Sequence, residues 1–269
     1  MRLLIFLLLS TPLFASCGVD AAEAKENAQT YASYEQSEDP IDSLLHGIQD
    51  KIERSFVQSL ARSRATPLEK LSEDLAKAQI EKPQRLLSYW QSYLDFYHAI
   101  YHMESDESEL AEQRCMEAIQ RLDNMKNKNS EDYALLGMLT SFSISFKPGI
   151  KAPFIGARGE KYVSIALELD PQNPRAHYVK GNGSYYKPKQ FGGGKHVESS
   201  LKRALSLPAQ RQPNPYLPSW GHEEAYETLI KWYIREEQYK QAQKWFDKAV
   251  QDYPDSYTIN RLASQLANK

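Results

Sequence analysis

Tyr226-Glu-Thr-Leu229-Ile230-Lys-Trp-Tyr233, followed by Tyr239, Ala242, Phe246, Ala249, Val250 and Pro254, is the stretch whose reading decides the fold. Its apolar positions recur three and four residues apart, the period of an amphipathic helix and not the alternation of a strand. Two helices are therefore expected. Ala242 and Ala249 flank the bulky Phe246, so the second helix can approach the first closely. Pro254 lacks a backbone N–H and falls where the second helix must stop.

The order aromatic–Leu–aromatic, then Ala–Phe–Ala–Pro, resembles the tetratricopeptide repeat, whose unit is about 34 residues. The sequence departs from the family at Ile230, where a small residue is usual, and at Glu237, which replaces the turn glycine. The resemblance implies an all-α, right-handed superhelix of antiparallel helix pairs, with the clearest repeat at 223–256.

Working outward, the same period recurs. Leu44, Leu45, Ile48, Ile52, Phe56 and Leu60 share a helical face, and Thr66-Pro67 opens the next helix. This first pair reads equally as a repeat or as a cap. Trp90, Tyr93, Leu94, Tyr97 and Tyr101 mark one helix, with Leu110, Cys115, Ala118, Ile119 and Leu122 on its partner. Asp132–Phe146 begins a third pair, which returns through Tyr162–Leu169 and ends at Pro171. Asn173-Pro174 opens a fourth, and Ser256–Leu266 reads as a C-terminal cap.

Three stretches break the regularity: Lys147–Gly159, Tyr186–Gly194 and Pro208–Gly221. Helix connections in such arrays are normally a few residues long, so all three are expected to be functional or packed loops. Phe191, Trp220 and the turn Gly192-Gly193-Gly194 are expected to pack together at one edge. Pro188-Lys-Gln-Phe191-Gly-Gly-Gly, with the later loop ending in Trp220-Gly221, resembles exported tetratricopeptide proteins of the Bacteroidetes type over about residues 130–255. That resemblance implies a class and a compartment, and no reaction.

The first residues read as a leader. Arg2, the apolar run Leu3–Leu9 and small residues to Gly18 suit a bacterial export signal too short to span a membrane. Leu13-Phe14-Ala15-Ser16-Cys17 also resembles a lipobox, which implies lipidation at Cys17; ordinary cleavage after Ala15 is the alternative. The expected division is 1–17 export signal, 18–41 solvated tether and 42–269 helical-repeat domain.

Composition excludes more than it names. A formal net charge of −2, with 33 basic and 35 acidic residues, leaves no electrostatic footprint for nucleic acid. Cys115 lies on an apolar helix face and reads as a buried hydrophobe. His98 and His102 share a helix face, yet Ala99 stands where the zinc-protease motif has glutamate, so no metal site is assigned. Gly192, Gly193, Gly194 and Lys195 lack the first glycine and the hydroxyl of a phosphate loop. They offer at most an anion site at a helix N-terminus, with a tight turn as the structural alternative. No catalytic residues and no cofactor are expected.

The sequence therefore points to a non-enzymatic scaffold of the cell envelope, facing the periplasm or cell surface and anchored through an N-terminal lipid or else soluble. A protein or peptide partner would lie in the concave face, against Trp90, Tyr93, Tyr97, Tyr178, Tyr185, Tyr226 and Tyr233. The alternative is a solute-binding accessory of an envelope transporter, which an enclosed cavity around Arg158, Lys195 and His196 would favour.

Overall fold

The helical period read outward from Tyr226 continues through the chain. The computed structural model describes residues 40–147 and 149–267. The expected export signal, Cys17 and nearly all of the tether lie outside the described residues. The chain divides into two units, Met1–Ser43 and Leu44–Lys269, and the second carries the repeat array.

After α1 (Pro40–Leu45) come α2 (Ile48–Arg62), α3 (Thr66–Glu81), α4 (Arg85–Glu104), α5 (Ser108–Asn124) and α6 (Ser130–Phe142). Then follow α7 (Ala152–Leu169), α8 (Pro174–Tyr186), α9 (Val197–Ser206), α10 (His222–Arg235) and α11 (Tyr239–Asp252). Two short helices, α12 (Tyr257–Asn260) and α13 (Ala263–Leu266), close the array and bury Ile259, Leu262 and Leu266. No strand occurs among the described residues.

The starts are written in capping chemistry. The Asn129 side chain accepts the Asp132 N–H at 3.1 Å, while the Asp132 carboxylate accepts the Asn129 N–H at 2.8 Å. The Asn173 carbonyl oxygen accepts the N–H groups of Arg175 and Ala176, with Pro174 in the first turn.

Helices pair in sequence: α2 with α3, α4 with α5, α6 with α7, α8 with α9 and α10 with α11. The first helices of successive pairs also touch, forming a row α2–α4–α6–α8–α10. This is an all-α helical repeat of the tetratricopeptide type. Small side chains let the helices close: Ala134, Ala166 and Ala176 are fully buried together, with Tyr133 and Leu167 packed around them. In the last repeat Ala242, Ala249, Leu229 and Ile230 are fully buried, so the larger Ile230 is absorbed by the core. Glu237, at the position of the usual glycine, is held at φ 58°.

One of the three irregular stretches differs from expectation. Residues 147–159 are mostly helix: Pro153 sits in the first turn of α7, and Gly159 serves a crossing with α6. A Cβ on Gly159 would lie 2.6 Å from Ser141 Oγ, and one on Gly137 would lie 2.7 Å from Val163 Cγ2. Residues 186–194 form a tight turn with Gly192 and Gly194 at φ 88° and 89°. A Cβ on Gly193 would sit 1.7 Å from the Lys187 carbonyl oxygen, so only glycine fits.

The third stretch, 207–221, stays irregular and acts as a strap back to the start of the array. Gly47 N–H donates to Pro215 O at 3.0 Å, and Gln49 Oε1 accepts the N–H groups of Ser219 and Trp220. Trp90 Nε1 donates to Tyr216 O at 2.9 Å. These bonds satisfy loop backbone that helices cannot.

Candidate functional site

Trp220 ends the strap as a buried plug, 3% exposed. Its indole stacks on Tyr93 at 5.8 Å, meets Tyr178 edge-on at 6.1 Å, and donates to Tyr89 Oη at 2.9 Å. It does not join Phe191 and the glycine turn: Gly194 faces the Trp232 ring, and Phe191 is largely exposed. The expected cluster is thus two separate arrangements.

The strap also decides what becomes of the rings expected on the concave face. Trp90, Tyr93, Tyr178, Tyr226 and Tyr233 are buried. Trp90 and Tyr93 are roofed by residues 216–220, and Tyr226 spends its hydroxyl on Asp252 at 2.6 Å. Tyr97 is half-buried against Phe56 and Phe96. Tyr185 lies under the Arg235 guanidinium, 4.0 Å from ring centre to charge. Five of the seven rings are therefore core, and Tyr97 and Tyr185 are half-buried, so the seven do not form an open aromatic groove.

What the row of first helices leaves open is a cavity of about 840 Å³. Phe96 of α4 and Met138, Ser141 and Phe142 of α6 form one wall. Pro153, Gly156 and Ala157 of α7 form a second, and Tyr178, Val179, Asn182, Gly183 and Tyr186 of α8 a third. Glu224, Glu227, Thr228 and Lys231 of α10 complete it, with Lys187, Pro188 and Phe191 at one edge. Of this set Tyr178 was expected from sequence on the concave face, and Phe191, with its loop, at one edge. The helical residues of the lining carry no motif; their shared feature is a position on the inner face, which only the helix register reveals.

The polar groups of the cavity are mostly paired. Lys187 Nζ bonds Glu160 at 2.7 Å, and Lys231 Nζ bonds Glu227 at 2.6 Å, the latter shared with Arg261 at 2.8 Å. Thr228 Oγ1 donates to Asn182 Oδ1 at 3.2 Å. Glu224 accepts the Gly221 N–H at 2.8 Å; burial raises its carboxyl above the usual range. A cavity of this size, apolar with a few placed polar groups, matches small-ligand sites.

Arg158, Lys195 and His196 do not line it. Arg158 is bound to Asp123 and Tyr162 instead. The anion site expected at 192–195 is also corrected. Gly192, Gly193 and Gly194 donate their N–H groups to the carbonyls of Lys189, Pro188 and Ser184, leaving none of the three for an anion. Of the histidines, His102 Nδ1 shares a hydrogen bond with Glu107 at 2.6 Å, and His98 is buried beside Asp95. Cys115 is buried, and that burial pushes its thiol up to about 12, away from nucleophilic use at neutral pH.

These features define a class: a tetratricopeptide-type helical repeat whose inner face is roofed by a strap and holds a ligand-sized cavity. No protein-family model matches the chain, and no curated protein sequence matches it significantly. Solved structures similar to it include the following two. The HusA haemophore from Porphyromonas gingivalis is 23% identical, covering 70% of this chain and 93% of its own, with a TM-score of 0.50. A thermophilic tetratricopeptide-repeat protein from Thermus thermophilus is 18% identical, covering 82% and 99%, with a TM-score of 0.53. Likeness at this distance speaks for the fold.

Proposed function

We propose that this chain is an exported, non-enzymatic binding protein that carries a flat, largely apolar ligand of porphyrin size in the cavity of its inner face. The observation that carries the reading is the cavity itself, about 840 Å³ with walls of Phe96, Phe142, Pro153, Val179 and Tyr186. Burying a planar apolar ring there removes water from both faces, at about 25 cal/mol per Å² of apolar surface. Lys187 and Lys231, at present paired with Glu160 and Glu227, are the groups suited to ligand carboxylates. The similarity to a haemophore makes haem the first ligand to try.

The fit is one of shape and polarity. Among the described residues the lining offers no histidine or cysteine, so retention would rest on buried area and charge, with the Met138 thioether and Tyr186 hydroxyl as the lining groups of a kind that ligates haem iron. Hemin and metal-free protoporphyrin are therefore expected to bind comparably. Titration of each, followed by absorbance and by quenching of tyrosine and tryptophan emission, tests this. Absence of saturable one-to-one binding of either would overturn the reading.

A protein partner is the second reading, favoured by the repeat architecture. An extended peptide with one bulky side chain would use the same cavity, with Asn182 and Glu227 for its backbone. Crosslinking from position 183 in intact cells separates the two. The lipid anchor belongs to the same proposal: the lipobox-like end at Cys17 supports it, and labelling with a fatty acid that Cys17→Ala abolishes is the expected result.

A further inference from the structure

The cavity opens between two segments that share an unusual composition. Residues 147–159 contain Lys147, Lys151 and Arg158 and no acidic residue; 185–197 contain Lys187, Lys189 and Lys195 and again none. Glu160, directly after the first segment, lines the cavity and takes up Lys187, so the positive charge left unpaired beside the opening is that of Lys151 and Lys195. Large apolar side chains stand out of the same segments. Ile150 is 85% exposed, Phe154 76%, Tyr186 70% and Phe191 53%. Ile150 and Phe154 are four residues apart across the turn that starts α7, while Tyr186 and Phe191 themselves line the opening.

Ion pairs within the fold account for most of the basic groups, and not for the exposed apolar side chains or for two of the lysines. Four of the six basic groups are paired, Lys147 with Glu112, Arg158 with Asp123, Lys187 with Glu160 and Lys189 with Glu236. Among the described residues, Lys151 and Lys195 have no carboxylate within ion-pair reach. Exposed bulky residues set singly among lysines around an opening match an interfacial surface, in which apolar tips enter the lipid boundary and cations meet anionic headgroups.

We propose that this rim seats the folded domain on an anionic lipid bilayer, with the cavity mouth against the membrane. An apolar cargo partitions into bilayers, so a mouth seated there loads and unloads without crossing water. The rim acts whether or not a separate anchor precedes the domain, and whatever ligand the cavity holds.

The test uses the full chain carrying Cys17→Ala, with Phe154→Trp as the reporter, its emission taken as the difference from the same chain without it because four native tryptophans also emit. Ile80→Trp, at an 83% exposed site on α3 outside the rim, is the control. Vesicles of brominated phosphatidylglycerol are expected to quench the reporter at 154 by about twofold and to leave the one at 80 unchanged. Brominated phosphatidylcholine should quench neither, and Lys151→Glu with Lys195→Glu should abolish the effect. No quenching at 154, equal quenching at both sites, or a response at 154 to polyglutamate and not to vesicles would overturn the proposal, the last in favour of an acidic protein surface. Hemin titration without vesicles reads the cavity separately, so the two readings fail independently.

Discussion

Two glycines on α8 should respond in opposite directions to the same substitution. A Cβ on Gly181 would lie 2.6 Å from both Cγ and Cδ2 of Leu201 and 3.3 Å from its backbone N. Leu201 is fully buried, so its side chain cannot swing into solvent and α9 must move instead. Overpacking of this kind costs about 1–3 kcal/mol, and the helical gain of alanine over glycine returns about 0.5–1 kcal/mol. Gly181→Ala should thus lose about 1–2 kcal/mol net. Gly183 lines the cavity, and a Cβ there meets nothing within 4 Å. Gly183→Ala should therefore keep the helical gain of about 0.5–1 kcal/mol. The two differ by about 1.5–3 kcal/mol, so for a domain of this size they should melt about 3–12 °C apart, on either side of the parent. Gly183→Phe should place a ring inside the cavity, leave melting at or above that of the parent, and weaken hemin at least about tenfold, or 1.4 kcal/mol. Calorimetry and hemin titration on the same samples give both numbers. If Gly183→Ala melts as low as Gly181→Ala, the inner face of α8 has been misassigned; if Gly183→Phe binds hemin like the parent, the ligand is not in this cavity.

Further substitutions probe the scaffold. Arg175 is buried, bonds Glu131 through two nitrogens at 2.5 and 2.6 Å, and donates to Ala209 O. Glu131→Ala leaves that cation unpaired and should cost about 3–5 kcal/mol in urea unfolding. Glu237→Gly relieves a φ of 58° and should raise stability by about 1 kcal/mol, read as a higher melting temperature. Ala249→Trp forces a ring into a fully buried helix crossing and should destabilise the last repeat by about 1–3 kcal/mol or more; unchanged melting would argue against that packing. Burial holds the Glu53 carboxyl at about 7, with Glu224, Asp50 and Glu223 adding to the rise and the Gln49 hydrogen bond opposing it. The folded chain then binds the extra proton between the ordinary carboxylate range and pH 7, so stability should fall as pH rises through that window. Glu53→Gln should remove about 1–2 kcal/mol of that decline, leaving the variant the more stable at pH 8 but not at pH 5.

The haem and membrane proposals assign different jobs to neighbouring residues. Val179, Gly183 and Phe142 face inward and govern what fits; Ile150, Phe154 and Lys151 face outward and govern where the protein sits. Lys187 and Phe191 belong to both, since they line the cavity and stand at its mouth. Substitutions there should alter ligand and vesicle binding together.

The sequence by itself determined the helices and their pairing. Tyr226–Pro254 carries the period, the small residues and the stop of one repeat, and Thr66-Pro67 and Asn173-Pro174 carry starts, because these are local effects of backbone geometry. It also marked Glu237 as a departure, and the turn holds that residue in the left-handed backbone that glycine adopts without strain. Glycine was harder to read. Gly156 and Gly159 resemble a loop in sequence, yet Gly159 serves a crossing with α6, and only the neighbouring helix tells the two uses apart. The tertiary structure alone decided which aromatic rings are core. Trp90 and Tyr93 occupy inner-face positions of their helix, but burial there depends on a strap more than a hundred residues later in the chain. The cavity was equally hidden: its walls come from five helices that share no motif, and their meeting is set by how the pairs stack.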